Sequence, residues 1–283
     1  MAPPEASPGR AGGFNDHDDN GHGRTQTMSR ESQSMYELIR LANGWTVGRF
    51  APLAELGVVH TVTTRAALDV GRISADRAGA AAELAKAMGL EGVAYLQQVH
   101  GSAVLAVKGP GPAGQADGLA TDRPGLGLMT VSAECPLVMV ADRLGAAGGV
   151  AHASWRATVG RVVVNLVDLM ARRFGCRPCN MVACIGPSAG PCCYEIGPEV
   201  LQQVTASLGT GVQSAFITRQ GRLYLDLWQA NREQLTGAGL DPARIHTAGV
   251  CTICHHDTYP SYRREGDQAG RFAAVIAIPP KSR

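Results

Sequence analysis

Short β-branched runs alternate with longer helical patterns along the chain from Val58 onward. Such an alternation is typical of a mixed α/β domain, in which helices cover the faces of a sheet. Strands are predicted at residues 58–64, 93–99, 126–132, 137–141, 149–153, 181–185, 245–250 and 272–278. Helices are predicted at residues 74–89, 158–174, 198–208 and 227–235. We therefore predict one mixed α/β domain over about residues 36–283.

Residues that favour helix ends mark the boundaries of these helices. Ser74 and Asp226 are predicted N-caps, because their side chains can accept hydrogen bonds from the free N–H groups of the first turn. Gly89 and Gly175 follow the last apolar positions of two helical stripes and are predicted to end them.

Composition and charge exclude several classes of function. The chain has 283 residues, 45% of them hydrophobic, which suffices for a sizeable core. A net charge of +2 provides no basic surface for nucleic acid, and no uninterrupted apolar run reaches the roughly 20 residues of a membrane span. We expect small-molecule partners, neither nucleic acid nor membrane, and a monomer or small homo-oligomer.

The first 35 residues are rich in Pro, Gly, Asp and Asn and are predicted to be a disordered tail or sequence upstream of a misassigned start. They lack the apolar segment of a secretion signal, so a cytoplasmic location is expected. The eight cysteines are accordingly expected to be reduced thiols.

Two histidines and a cysteine follow or end separate predicted strands. His100 comes directly after strand 93–99, Cys135 follows strand 126–132, and His152 lies near the end of strand 149–153. Open α/β sheets build their sites at strand ends, and two imidazoles with one thiolate suit Zn²⁺. Three protein ligands would leave one position for water or substrate. The alternative is that each side chain has only a local packing or hydrogen-bonding role.

Other cysteines compete for a metal. Cys176/Cys179 and Cys251/Cys254 are CxxC pairs, but they lie 72 positions apart, far more than the about 15–20 residues of a zinc ribbon. A four-thiolate site made of both pairs is kept as an alternative. The adjacent cysteines at 192 and 193 lie in a Gly/Pro loop and are predicted to be packing or turn residues.

Charged and aromatic residues near the predicted strand ends are further candidates. Glu134 precedes Cys135 and could act as a general acid or base, or orient a ligand. Trp155 and Arg156 follow His152 and offer a flat apolar face and a guanidinium.

Several arginines lie in loops, and together they could clamp an anion. The candidates are Arg65, Arg263, Arg264 and Arg271. A guanidinium matches phosphate, although a single arginine is more often a surface charge. Asp117 and Asp122 are interpreted as turn residues.

Seven motifs in order resemble the YfiH/laccase-domain family, whose members are described as multicopper polyphenol oxidases and as purine nucleoside phosphorylases. They are QVHG (98–101), DGLATD (117–122), SAECPL (132–137), AHASWR (151–156), IGPSAGPCCYEIG (185–197), LDLWQANR (225–232) and CTICHHDTYPSYRREG (251–266). The resemblance covers about residues 58–278.

This resemblance implies a single-domain α/β-β/α sandwich similar to the toxin-type cysteine-hydrolase fold. It also implies a metal site of His100, Cys135 and His152 that takes zinc, with copper as the other metal of the family. The implied reaction is phosphorolysis of purine nucleosides (adenosine, inosine, methylthioadenosine) to free base and ribose 1-phosphate, together with adenosine deamination.

On the same interpretation, catalytic roles are expected for Glu134, Cys135 and Arg156, and substrate binding for Arg65, Trp155, Arg263 and Arg264. The chain departs from the family pattern at three positions near the site. Glu134 replaces the usual Asp, and Ser154 and Ala157 replace glycines of the GWRG motif. These three residues are expected to line the pocket, where they would affect substrate preference.

Three other functions remain open. A copper-dependent polyphenol oxidase would need more histidines than the six outside the tail. A hydrolase or amidase acting on peptidoglycan precursors would use Cys135 as nucleophile and His152 as base. A zinc-stabilised binding module would rest on the CxxC pairs.

Overall fold

The structure of the protein is a computed structural model, and it describes residues 35–208 and 213–279. The predicted tail lies outside the described residues except for Met35. In the described ranges, no helix combines the length and the apolar character needed to cross a bilayer.

The secondary structure follows the predicted alternation and adds elements before residue 58. The strands are β1 (Tyr36–Arg40), β2 (Thr46–Phe50), β3 (Val59–Thr63), β4 (Gly92–Gln97), β5 (Val104–Ala106), β6 (Gly111–Gln115), β7 (Gly118–Thr121), β8 (Leu126–Ser132), β9 (Leu137–Asp142), β10 (Gly148–His152), β11 (Met181–Ile185), β12 (Phe216–Arg219), β13 (Arg222–Leu225), β14 (Ile245–Thr247) and β15 (Phe272–Ala277). The helices are α1 (Ala51–Glu55), α2 (Val70–Ala75), α3 (Arg77–Met88), α4 (Trp155–Val159), α5 (Val162–Phe174), α6 (Pro198–Leu208), α7 (Leu227–Gly237) and α8 (Tyr262–Glu265).

The strands form two large mixed sheets and one hairpin. The seven-stranded sheet has the order β1-β2-β3-β15-β8-β4-β6, and the six-stranded sheet has the order β14-β11-β9-β10-β7-β5. Strand β8 pairs antiparallel with β15 and parallel with β4, so one sheet contains both pairings. Strands β12 and β13 pair with each other. The prediction of a mixed α/β fold is confirmed.

The core lies between the two large sheets and beneath the helices that cover them. Leu128 and Ile276 of the seven-stranded sheet share one buried cluster with Met139 and Val150 of the six-stranded sheet. Helix α5 packs on the outer face of the six-stranded sheet, and α3 packs on the outer face of the other. Strands β8, β9 and β10 are buried along their whole length, so both of their faces are covered by other parts of the protein. The finer likeness to the cysteine-hydrolase fold stays a prediction.

Two predicted helices have different boundaries in the structure. Residues 74–89 divide into α2 and α3, and Asp76 rather than Ser74 caps α3 by accepting a hydrogen bond from the Gly79 N–H at 2.8 Å. The prediction of Ser74 as the N-cap was wrong, because Ser74 lies inside the preceding helix and Asp76, which also favours N-caps, begins the next one. Residues 158–174 are interrupted at Arg161, whose φ of 62° is left-handed.

The other predicted helix ends are confirmed. Gly89 and Gly175 adopt left-handed φ values of 65° and 70° at the C-termini of α3 and α5, a conformation that glycine tolerates best. Asp226 caps α7 by accepting from the Gln229 N–H at 3.0 Å. Ser154, a departure from the family pattern, caps α4 through the Ala157 N–H at 3.2 Å.

A buried histidine near the start of the domain should make stability depend on pH. The Phe50 N–H donates to Nε2 of His60 at 2.9 Å, and Nδ1 lies 2.9 Å from the Val58 carbonyl, so the neutral ring satisfies both groups. Burial lowers the pKa of His60 from 6.5 to about 4. The unfolded chain therefore binds more protons than the folded one between these two values.

We expect the free energy of unfolding to fall by up to about 3 kcal/mol from this residue as the pH drops from about 6.5 to about 4. Urea unfolding of the wild type and of His60→Gln at about pH 7 and about pH 4.5 measures the effect. The glutamine variant should be less stable at neutral pH but should lose less stability on acidification. Equal losses in both proteins would contradict the assignment.

Candidate active site

The two sheets bring the predicted trio together where they meet. Cys135 lies in the link that leaves the seven-stranded sheet after β8 and enters the six-stranded sheet at β9. His100 follows β4 of the first sheet, and His152 ends β10 of the second, opposite Leu137. Donor atoms of the three side chains all lie within 4.8 Å of one another. The predicted convergence of His100, Cys135 and His152 is therefore observed in the structure.

Asp117, which is fully buried just before β7, organises this trio. Its Oδ1 accepts from the His100 N–H at 3.0 Å and lies 2.9 Å from Nδ1 of His152. Its Oδ2 accepts from the Gly101 N–H at 2.6 Å. Burial favours the neutral acid, but the hydrogen bonds from His152 and the backbone prevail and lower the pKa of Asp117. The interpretation of Asp117 as a turn residue was wrong.

The Asp117 carboxylate also fixes the ring orientation of His152 and the backbone conformation of His100. When Nδ1 of His152 donates its hydrogen to this carboxylate, Nε2 is free to coordinate a metal ion. Carboxylates commonly orient metal-binding histidines in this way. His100 has a left-handed φ of 57°, uncommon for a residue other than glycine. Because its own N–H and that of Gly101 bind Asp117, the carboxylate stabilises this conformation.

Cys135 lies in a turn that Ser132 stabilises. The Ser132 hydroxyl accepts from the N–H groups of Glu134 at 3.0 Å and Cys135 at 2.7 Å. Burial would raise the pKa of the Cys135 thiol, but the two histidines overcome it and lower the pKa to about 6. Burial likewise opposes charging of His152, but Cys135 and Asp117 raise its pKa to about 9.

This donor set fits a metal ion. Two imidazoles and a readily formed thiolate converge from three elements, and a buried carboxylate holds one imidazole in place. The set matches the three-ligand arrangement of zinc sites that keep an open position. Copper also accepts imidazole and thiolate donors.

The trio opens into a cavity of about 760 Å³, large enough for a nucleoside-sized ligand. The titratable side chains in its wall are His100, Glu134, Cys135, His152, Tyr262, Tyr95, Arg77 and Arg271. The Glu134 carboxylate accepts from the Ser261 hydroxyl at 2.5 Å and from the Arg263 N–H at 2.8 Å. Burial raises the pKa of Glu134 despite these hydrogen bonds.

Arg77 and Arg271 form a cationic wall of this cavity. Burial first, and then the positive charge of Arg271, lower the pKa of Arg77, so the two guanidinium groups are close enough to repel each other. Sequence reasoning missed Arg77 because it occupies the first turn of a helix, and it noted Arg271 only as one of several loop arginines. Repulsion between two half-buried cations is relieved when an anion binds between them.

Other predicted site residues lie outside the wall of this cavity. Arg65 pairs with Glu265 at 2.5 Å, and Arg264 donates to the Ile253 carbonyl at 3.0 Å. The Arg156 guanidinium stacks on Trp155 at 4.4 Å from the ring centroid.

The Arg263 guanidinium donates to the Glu195 carbonyl at 2.9 Å, so only the backbone of Arg263 reaches Glu134. Substrate binding by Arg65, Trp155, Arg263 and Arg264, and catalysis by Arg156, stay predictions. Asp122 pairs with Lys108 at 3.4 Å, and its interpretation as a turn residue stays a prediction.

The thiols also group differently from the sequence-based alternative. Among the described residues, Cys251 and Cys254 are joined by Cys192 and Cys193. Cys176 is buried elsewhere, in the cluster that α5 forms with the six-stranded sheet. The alternative of a four-thiolate site built from the two CxxC pairs was therefore wrong, since spacing alone could not show which loops meet.

The fold and the site together place this protein in the class of α/β proteins that carry a candidate metal site of two imidazoles and one thiolate between two sheets. Residues 63–279 match the family described as multi-copper polyphenol oxidoreductase laccase. Because the match covers more than half of the chain, the protein belongs to this family, and the resemblance inferred from the seven motifs is confirmed.

Curated relatives and a crystal structure agree with this membership. The chain is 38% identical over 200 residues to a purine nucleoside phosphorylase of Deinococcus radiodurans, covering 70% of this chain and 76% of the relative. It is 35% identical over 164 residues to a purine nucleoside phosphorylase of Bacteroides thetaiotaomicron, covering 57% of this chain and 60% of the relative, less than two thirds of its length. The crystal structure of the Bacillus licheniformis hypothetical protein YfiH superposes with a TM-score of 0.74 at 25% identity, covering 82% of this chain and 96% of that one.

Proposed function

We propose that this protein is a purine nucleoside phosphorylase that works in the cavity of about 760 Å³ beside the trio. One observation carries the proposal: the trio, a carboxyl group and a pair of guanidinium groups all line the same cavity. A reaction between a nucleoside and phosphate needs an anion site and a polar site for the base within one pocket. The names of the relatives support the same reaction.

In this reaction an oxygen of phosphate forms a bond to C1′ of the ribose. The C1′–N9 bond breaks, its electron pair leaves with the purine, and the base takes up a proton. The products are ribose 1-phosphate and the free base. Arg77 and Arg271 are our candidates for binding phosphate, because a guanidinium pair matches its geometry and charge.

The remaining residues of the site orient and transfer protons. His100, Cys135 and His152 would hold a zinc ion, which would supply Lewis acidity for positioning or polarising a reactant. Asp117 keeps His152 in the tautomer that leaves Nε2 free. Glu134 lies in the wall next to Cys135 and is our candidate for delivering the proton to the departing base.

The proposed substrates are adenosine, inosine and methylthioadenosine, with zinc as the bound metal. A second activity, deamination of adenosine, is favoured by the position of a carboxyl group beside the trio, as in zinc deaminases. We also infer a reducing, cytoplasmic location, because all eight cysteines lie in the described ranges and are free thiols.

Release of free base from inosine and adenosine should require phosphate and should produce ribose 1-phosphate. Arg271→Gln removes one cation from the proposed anion site and should raise the KM for phosphate about tenfold or more, since a charge-assisted hydrogen bond contributes about 1.5–3 kcal/mol. The KM for the nucleoside should change much less. Chromatography of base and sugar phosphate at varied phosphate concentrations measures both.

Arg172→Gln is the matched control, because this arginine is exposed on α5 and pairs with Asp168 at 3.3 Å. Its kinetic constants should equal those of the wild type. Base release at the same rate without phosphate would indicate hydrolysis instead. Formation of inosine from adenosine in the same reactions would report the deaminase activity.

A further inference from the structure

Four cysteines from two separate loops form a thiol cluster that the proposed active site does not use. Cys192 and Cys193 lie between β11 and α6, and Cys251 and Cys254 lie between β14 and α8. Their sulfurs all lie within 4.8 Å of one another. We propose that this thiol cluster is a second metal site, a structural tetrathiolate site for Zn²⁺.

The sulfur positions agree with tetrahedral coordination. Zn–S bonds of about 2.3 Å place sulfurs at tetrahedral corners about 3.8 Å apart. The Cys254 sulfur lies 3.4 Å from that of Cys193 and 3.6 Å from that of Cys192, close to this edge length. A disulfide needs about 2.05 Å between sulfurs. The four side chains are thus placed around a common centre rather than joined in pairs.

Backbone N–H groups surround one of these sulfurs in the manner expected for a thiolate. The Gly190 N–H donates to Sγ of Cys251 at 3.3 Å, and the N–H groups of Ile253 and Cys254 also bind it. N–H groups directed at a sulfur favour its ionised form, the form that binds metal.

The loop that supplies Cys192 and Cys193 is shaped to bring the thiols together. A Cβ added to Gly190 would lie 2.7 Å from the Trp228 ring and 3.1 Å from Cβ of Cys251, so only glycine fits between them. Ser188 pairs with Cys251 in an isolated parallel bridge, which aligns the two loops directly beside the cluster.

Positive charge near both loops offsets the charge of such a centre. Four thiolates with one Zn²⁺ carry a net charge of −2. The Arg219 guanidinium donates to the Cys192 carbonyl at 3.0 Å, and the Arg264 guanidinium donates to the Ile253 carbonyl at 3.0 Å. Arg264 therefore has its partner in the loop that carries Cys251 and Cys254.

A metal here would tie together the two loops that hold Glu134. The Ala189 N–H, next to the first cysteine loop, donates to the Glu134 carbonyl at 2.7 Å. Ser261, which follows the second cysteine loop, donates its hydroxyl to the Glu134 carboxylate at 2.5 Å. A tetrathiolate ion would crosslink these loops and hold Glu134 in the cavity wall. Cys192 and Cys193 lie in a turn, as predicted, and ligand roles for them are part of this proposal.

Counting zinc in single-site variants tests the proposal. The wild type, purified under reducing conditions, should hold two zinc ions per chain by mass spectrometry of the metal. Cys135→Ser should retain one ion, and its Co²⁺ derivative should show the intense charge-transfer and ligand-field absorption of a tetrathiolate centre. The double variant Cys192→Ser/Cys254→Ser should also hold one ion and should lack this absorption. Cys179→Ser, an exposed cysteine outside the cluster, should keep both ions.

Three results would overturn the proposal: a single zinc per wild-type chain that disappears in Cys135→Ser, Co²⁺ spectra without thiolate character, or a disulfide among the four cysteines in the reduced protein. If the double variant does not fold, titration of the wild type with a mercurial that releases zinc replaces it. One zinc should then be freed as four thiols other than the exposed Cys179 react, and a second zinc as Cys135 reacts. These readouts do not depend on turnover, so loss of phosphorylase activity leaves them intact.

Discussion

Replacing Cys135 with serine should lower the turnover of purine nucleosides by about a thousandfold or more, since a bound metal contributes several kcal/mol of stabilisation to a transition state. The same variant should lose one bound zinc ion per chain. The physical reason is that a hydroxyl, unlike a thiol whose pKa is lowered to about 6, stays protonated at neutral pH and is a poor ligand. Steady-state phosphorolysis assays and zinc analysis on the same samples measure both effects.

Cys184→Ser is unsuitable as a control because that thiol is fully buried in the core. The exposed Cys179 provides the matched substitution, and Cys179→Ser should keep wild-type turnover and zinc content. Wild-type activity in Cys135→Ser would show that this thiol takes no part in the reaction. Activity that disappears while the zinc content is unchanged would indicate that the thiol itself reacts, as in a cysteine hydrolase.

Asp117→Asn should weaken zinc binding at the trio about 10–100-fold, the usual effect of removing a carboxylate behind a metal-binding histidine. Both oxygens of Asp117 accept hydrogen bonds, one of them from Nδ1 of His152 and both from backbone N–H groups. In asparagine one of these oxygens becomes an NH₂ group, which cannot accept. We therefore also expect a loss of about 2 kcal/mol in the free energy of unfolding, because a buried donor loses its partner. Zinc titration against a competing chelator and urea unfolding measure the two effects.

Asp122→Asn is the control for Asp117→Asn, because it makes the same substitution five positions later in the DGLATD motif. Asp122 pairs with Lys108 at the surface, where such pairs contribute about 0–1 kcal/mol. The zinc affinity of the Asp122→Asn variant should therefore equal that of the wild type. If Asp117→Asn bound zinc as tightly as Asp122→Asn, the orienting role of Asp117 would be wrong.

The active site was partly predictable from the sequence. The residues that the sequence did not predict share one property, which is that their partners in the site are distant along the chain. His100, Cys135 and His152 were found because each ends or follows a strand, and strand ends are recognisable from apolar periodicity. The partner of His152 was not found, because Asp117 lies 35 residues away and its local context is that of a turn. Arg77 was hidden in a helix pattern, and only the cavity shows that it faces Arg271.

The four clustered cysteines also show that contacts between distant segments cannot be predicted from local spacing, here over a larger distance along the chain. The CxxC spacing correctly drew attention to Cys251 and Cys254, but it suggested Cys176 and Cys179 as their partners. The sulfur that lies 3.4 Å from Cys254 belongs to Cys193, 61 residues away, in a loop whose motif contains no CxxC. Spacing identifies local chelating pairs, whereas the pairing of two loops depends on which strands are neighbours in the sheet.

By itself, the amino-acid sequence determined the class of the fold, most of its helix ends and the three side chains of the trio. These follow from periodicity, capping and side-chain chemistry, which act over a few residues. Only the tertiary structure decided that Asp117 supports the trio, that two arginines share its cavity and that four thiols from two loops meet. Each of these is a contact between distant segments, and such contacts arise from the packing of two sheets against each other rather than from any local pattern.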